Sequence, residues 1–187
     1  MMLRLVLIAI LALLTRPLAA ADWSLVPEKS EIAFSGIHLG NVFEGVFKTW
    51  SVEISFEPDQ LDAAHARVLV QTGSATTGNK LYDGTLTSGD WFDAARHPEA
   101  VFEATGFRAN DTRRLSAEGV LLIKGKPVPL TLDFTLDITG STATMTASHM
   151  FDRVALGLGA GSDPTGKWVS REIFVNITLV ATTAAGR

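Results

Sequence analysis

The chain carries four histidines, His38, His65, His97 and His149, and no cysteine. Without thiols, disulfide scaffolds, thiolate zinc, iron–sulfur sites, c-type haem attachment and cysteine nucleophiles all fall away, leaving imidazole and oxygen chemistry. The histidines are scattered, with no i,i+4 pair and no H-E-x-x-H run, so no metal centre is expected. Asn79, Asp83, Asp90 and Asp93 gather on one segment where two carboxylates could share acid–base work, although a helix and loop also collect solvated acids. No G-x-S-x-G nucleophile elbow is present. The run Leu156-Gly157-Leu158-Gly159-Ala160-Gly161 is glycine-rich like a phosphate cradle, but it lacks the third glycine at the dinucleotide spacing and joins no strand to a helix. It reads as a loop before the last strand. Arg153, just upstream, needs an ion pair or backbone acceptors, with Asp83 or Asp93 as the expected partner.

The elements that must position these groups are short strands. From 130 to 138, Leu130, Leu132, Phe134, Leu136 and Ile138 alternate with Thr131, Asp133, Thr135 and Asp137, a strict period of two with one apolar face. Similar runs occupy 31–38, 45–56, 67–73, 100–107, 115–123, 142–151 and 172–182, bounded by Pro58-Asp59, Asn110-Asp111, Gly125-Lys126-Pro127 and Gly140-Ser141. That makes eight predicted strands. Within 45–56 the apolar parity slips near Lys48, and a β-bulge is predicted there. Between Ala75 and His97 the alternation stops, and a short helix capped by Thr77 or Asn79 and limited by Gly84 is predicted. Eight sequential antiparallel strands with one helical insertion point to an all-β fold closed into a barrel, because closure removes unpaired edges.

The composition is that of one globular domain: 187 residues, 47% hydrophobic and 19% charged. Arg4 precedes an apolar run from Leu5 to Leu14, followed by Pro17 and Ala19-Ala20-Ala21, so residues 1–21 are expected to be a cleaved secretory signal peptide and residues 22–187 the mature domain. Ten apolar residues cross only about half of a bilayer core, so stable membrane insertion is not expected. Residues 1–21 hold two of the 16 basic residues and none of the 20 acidic ones, which leaves the remainder about six charges negative. With no basic stripe, nucleic acid is not an expected partner. The expected address is the periplasm.

An eight-stranded barrel has room for side chains or one slender ligand. Ile32, Phe34, Phe47 and Phe102, with Leu132, Phe134 and Met145, are available to face its interior. In a filled barrel they are core; in a hollow one they line a water-excluding tube. Leu81, Trp91 and Phe92 are candidates to close one end. Taken alone, these residues favour the filled reading.

Several separated segments nevertheless resemble the YceI-like family over nearly all of residues 22–184. They are Trp23 with Lys29-Ser30 and Phe34; Gly45-x-Phe47 and Ile54-x-Phe56; Thr77-Gly78-Asn79 with Asp83; Leu86-x-Ser88-x-Asp90-Trp91-Phe92-Asp93; and Pro98-x-Ala100-x-Phe102. Later come Gly119-x-Leu121-x-Ile123-Lys124-Gly125 with Pro129-Leu130, and Arg153-x-x-Leu156-Gly157-Leu158-Gly159. Tyr82, Trp91, His97 and Leu156 depart from the residues usual in the family.

The resemblance implies a lipocalin-like β-barrel with an elongated apolar cavity, and so reverses the preference for a filled one. It implies as ligand an isoprenoid-type or other long-chain lipid, such as an isoprenoid quinone, with its head near the helix and the glycine-rich loop. No other cofactor is implied, and no catalytic residues. It is compatible with a homodimer. Residues 162–172 are similar to a subgroup found fused to a membrane cytochrome, which suggests a membrane redox partner. Two rival readings stay open: a filled barrel that acts as a protein-interaction partner, and an enzyme acting on the enclosed lipid through His38, His149, Asp83 or Asp93.

Overall fold

Period-two patterning becomes a single antiparallel sheet in a computed structural model of the protein, which describes residues 21–183. Of the predicted signal peptide only Ala21 falls within the described residues, in β1; residues 1–20 lie outside them. Twelve strands occur among them: β1 (Ala21–Asp22), β2 (Ser24–Leu25), β3 (Glu31–His38), β4 (Asn41–Phe47), β5 (Trp50–Phe56), β6 (His65–Gln71), β7 (Ala75–Thr76), β8 (Glu99–Ala109), β9 (Arg114–Ile123), β10 (Lys126–Thr139), β11 (Thr142–Asp152) and β12 (Glu172–Thr182). The count exceeds eight because the run 45–56 divides in two and because β1, β2 and β7 are two-residue strands too short for any periodicity to reveal.

The division at Lys48 is a corner rather than the predicted bulge. A bulge keeps the same neighbour, whereas here the chain changes neighbours: β4 pairs with β3 and β7, while β5 pairs with β1 and β6. The hydrogen-bonded path runs β1-β5-β6-β8-β9-β10-β11-β12-β3-β4-β7, so β4 and β5 sit near its opposite ends yet are joined through Lys48 and Thr49. That covalent link curls the sheet into a barrel. Lys48 N–H donates to Ser74 O (3.2 Å) and Thr49 N–H to Ser74 Oγ (3.0 Å), which ties the corner to the chain leading into β7. At the other end the N-terminal segment spans the seam, with β1 on β5 and β2 on β12. A register shift does occur elsewhere, between Ala104 and Gly106 where β8 faces β9.

One α-helix occurs among the described residues, α1 (Lys80–Thr87). Asn79 caps it, its side-chain oxygen accepting from the N–H groups of Leu81 and Tyr82 at 3.0 and 3.4 Å.

Inward residues form two apolar clusters. Phe34, Ala75, Trp91, Phe92, Leu156 and Leu158 belong to the cluster at the helix end. Phe56, Ala64, Ala104, Leu115, Ala117 and Phe134 belong to the other. Gly45 is required by the first: a Cβ there would collide with the Phe34 ring, which lies across β4 and packs 5.2 Å from the Phe47 ring.

Candidate functional site

Between and around these clusters lies an interior cavity of about 260 Å³. Small inward residues make room for it. Ala66 and Ala104 face each other across β6 and β8, Ala117 follows on β9, and all three border the space, where larger side chains would fill it. The wall is apolar almost throughout; His149, Arg153 and the two indoles of Trp23 and Trp91 are its polar-bearing members. The Trp23 indole N–H is already spent on Phe56 O at 3.0 Å.

Nine of the ten sequence-derived site residues border this cavity. Ile32, Phe34, Phe47 and Phe102 do so from β3, β4 and β8, and Leu132, Phe134 and Met145 from β10 and β11. Trp91 and Phe92 border it from the loop after α1 and are buried. Leu81 is the exception and must be corrected: it is 74% exposed, because the first turn of α1 presents it outward. Leu86, on the last turn, is the helix residue that reaches the cavity. Leu86 is a wall residue absent from the sequence-derived set, as are Leu121, Leu130 and Val175, and for these last three strand parity alone is a sufficient signal.

Arg153 is buried and ion-paired, but not with either expected partner. Its Nη2 lies 2.7 Å from Asp163 Oδ2, with side-chain exposures of 1% and 5%. The remaining donors go to the carbonyls of Leu158 (2.9 Å), Asp163 (3.1 Å), Val169 (2.8 Å) and Ser170 (3.0 Å). Its guanidinium carbon lies 5.1 Å from the Trp91 ring centroid. Four of its five guanidinium N–H groups are engaged in this way, Nη1 giving one bond, to Leu158 O. Asp163 also accepts from the N–H groups of Lys167, Trp168 and Val169. Burial pushes the Asp163 carboxyl up, yet those N–H groups and Arg153 more than offset it and hold its pKa below the usual value.

The expected partners are engaged elsewhere. Asp83 accepts from Thr77 N–H and from the Thr76 and Thr77 hydroxyls, contacts that lower its pKa. Asp93 pairs with Arg96 at 2.8 Å. Asp90 accepts from the Ser162 hydroxyl and from the N–H groups of Ser162 and Gly161, which also lower its pKa. Lys124 Nζ donates to Asp90 O (2.6 Å) and Gly157 O (2.9 Å).

These bonds lace the loop after α1 to the loop 153–171, and the glycine-rich run finds its reason here. At Gly159, with φ +64°, a Cβ would stand 2.8 Å from the Trp91 ring and 2.9 Å from Arg153 Nη1, so only glycine fits. The result is a plug of Trp91, Phe92, Leu156 and Leu158 over the helix end of the barrel.

Of the histidines, His38 shares a 3.0 Å hydrogen bond with the Tyr82 hydroxyl. His149 borders the cavity with its ring 4.5 Å from that of Phe151. Burial holds its imidazole below the ordinary value of 6.5, with the nearby Asp133 carboxylate pulling the other way. Among the described residues no group of three or more His, Asp or Glu stands close enough to hold a metal ion, and no helix is long and apolar enough to cross a membrane.

The chain is 30% identical over 124 residues to the UPF0312 protein of Pseudomonas savastanoi pv. phaseolicola, a match covering 65% of each chain. It is 28% identical over 138 residues to that of Vibrio parahaemolyticus, covering 73% of this chain and 62% of the relative. The matched region therefore spans somewhat under two thirds of these relatives' length. Among solved structures, Burkholderia cenocepacia BcnA is 27% identical with a TM-score of 0.81, covering 85% of this chain and 100% of that one. A polyisoprenoid-binding domain from Saccharophagus degradans shares the fold with a TM-score of 0.70 at 14% identity, covering 88% of this chain and 99% of that one. The model of the YceI-like domain matches residues 23–181, nearly every strand described above, and the chain belongs to that family.

Proposed function

We propose that the protein is an exported, periplasmic carrier or sequestering protein that encloses an isoprenoid-type or other long-chain amphiphilic lipid in its barrel. The observation that carries this reading is the apolar cavity of about 260 Å³. Water there finds few groups to bond, although the space is many times the about 10–15 Å³ that one water needs. A hydrocarbon tail gains roughly 0.8 kcal/mol for each methylene it buries there. The Saccharophagus domain, of the same fold and solved as a polyisoprenoid-binding protein, supports the tail class. An isoprenoid quinone is the specific ligand favoured, and a membrane redox complex the partner with which it would be exchanged.

The reading is one of binding, not catalysis. His38, Asp83, Asp90 and Asp93 are tied into hydrogen bonds and an ion pair that hold loops in place. Export rests on the apolar segment within residues 1–21.

Titration of delipidated protein with a tetraprenyl benzoquinone, followed through Trp91 and Trp23 fluorescence, tests this. Saturable one-to-one quenching is expected. Failure to take up the tetraprenyl quinone, tetraprenyl hydrocarbon or palmitate would overturn the reading.

A further inference from the structure

The ladder between β10 and β11 runs from Thr139↔Thr142 to Phe134↔Ala147 and stops there, although β10 extends back to Lys126 and β11 forward to Asp152. Over that remaining length β10 pairs with β9 and β11 with β12, but not with each other. The two strands splay. Pro127 and Pro129 both fall in the unpaired half of β10, while the register with β9 continues through them as Pro127↔Leu122 and Pro129↔Val120. Their missing N–H groups therefore belong to the edge that faces β11, where proline blocks pairing and is otherwise tolerated. The gap is thus written in the sequence.

Its far end is shut. Beyond β11 the chain turns through Gly157, whose carbonyl is held by Lys124 Nζ at 2.9 Å. What remains is a window in the barrel wall, framed by Lys126–Asp133, Ser148–Asp152 and the loop after them. Leu130, Leu132, His149 and Phe151 point through it into the cavity. Among the described residues His149 has no hydrogen-bond partner, and its ring nitrogens are not sealed inside protein. His149 lies two residues past Ala147, the last position at which β11 pairs with β10.

We propose that this window is the head-group subsite and lateral access route of the cavity, with His149 hydrogen-bonding the uncharged oxygen head of a long-chain amphiphile whose tail lies in the barrel. The proposal rests on the lipid-binding reading and places the head away from the plugged helix end. It selects a carbonyl or hydroxyl head over a carboxylate or phosphate. Asp133, held at the window edge by the Ser116 hydroxyl at 2.6 Å, repels an anion. Lys126 stands at the opposite end, about 20 Å along the strand.

The test compares a tetraprenyl benzoquinone, the headless tetraprenyl hydrocarbon and palmitate. For His149→Phe, which keeps an aromatic ring beside Phe151, quinone affinity should fall about three- to tenfold, the equivalent of one lost hydrogen bond. Hydrocarbon affinity should be unchanged, and His149→Gln should retain most of the quinone affinity. Equal quinone affinity in wild type and His149→Phe, or tighter binding of palmitate than of quinone, overturns the subsite while leaving the lipid-binding reading intact. Separately, Thr131→Cys with Met150→Cys, on the outer face across the gap, can be bridged by a short bismaleimide, since the natural chain has no cysteine. Bridging should slow quinone uptake at least tenfold. An unchanged rate would place the access route elsewhere.

Discussion

Arg153 and Asp163 meet at 2.7 Å with both side chains shut away from solvent, one at the end of β11 and the other at the far side of the loop it organises. The loop that plugs the helix end of the barrel is organised around this pair, while Asp90 and Lys124 tie it to the loop after α1. Removing one partner leaves a buried, uncompensated charge.

Arg153→Ala should therefore destabilise the fold by about 3–5 kcal/mol, as expected for a broken buried ion pair. Arg153→Lys should also lose stability, because an ammonium cannot reproduce the fork that serves Asp163 and four carbonyls. Urea unfolding of both variants checks this, with Trp91 fluorescence reporting on the plug.

Acid should act on the same knot. Asp163, Asp83, Asp90 and Asp152 all have folded pKa values below the ordinary 3.8, and the backbone N–H of Arg113, with the guanidinium and backbone N–H of Arg114, holds Asp111 down to about 2. Because the unfolded chain takes up these protons first, the stability they contribute is complete above about pH 4 and drains away as pH falls through the folded values. Urea midpoints between pH 6 and pH 2 should decline in that window, and Asp163→Asn should be less stable at pH 6 with a shallower decline.

His149 has the opposite charge type and so the opposite reason for acid sensitivity. Its folded pKa lies below the ordinary 6.5, so as pH drops past 6.5 the unfolded state binds a proton that the native imidazole does not yet accept. Native stability should fall from pH 6.5 downward until the folded pKa is reached. His149→Gln should remove this component, which differential unfolding at pH 7.5 and 5.5 will show.

A hollow barrel tolerates filling. In a packed core, enlarging an alanine by a phenyl ring costs about 1–3 kcal/mol. Ala117 borders the cavity, so Ala117→Phe should leave the stability of the delipidated protein within about 1 kcal/mol while sharply reducing quinone uptake. Thermal melts and ligand titration of the same sample separate the two effects.

Strand positions were legible because alternation survives in each of them: 31–38 and 172–182 match β3 and β12 to the residue. The parity slip at Lys48 was legible too, but not its meaning, since a bulge and a change of neighbouring strand leave the same trace in one strand's pattern. The aromatic and aliphatic wall followed from parity, whereas Leu81 failed because an apolar residue on a helix of eight residues can face either way. Arg153's need for a partner was visible in its charge. Asp163 was not visible as that partner, because the bond closes only when backbone N–H groups of Lys167, Trp168 and Val169 converge on the same carboxylate. His149 shares its parity with Met145 and Phe151, which also border the cavity, but the window beside it depends on where a ladder stops, which no single strand records.

The most direct measurement is native mass spectrometry of the protein purified from its host without detergent, followed by organic extraction and identification of what is released. One long-chain lipid per barrel is expected, with an isoprenoid tail and an uncharged oxygen head. A protein that arrives empty and takes up neither quinone nor hydrocarbon after purification would contradict the lipid-binding reading.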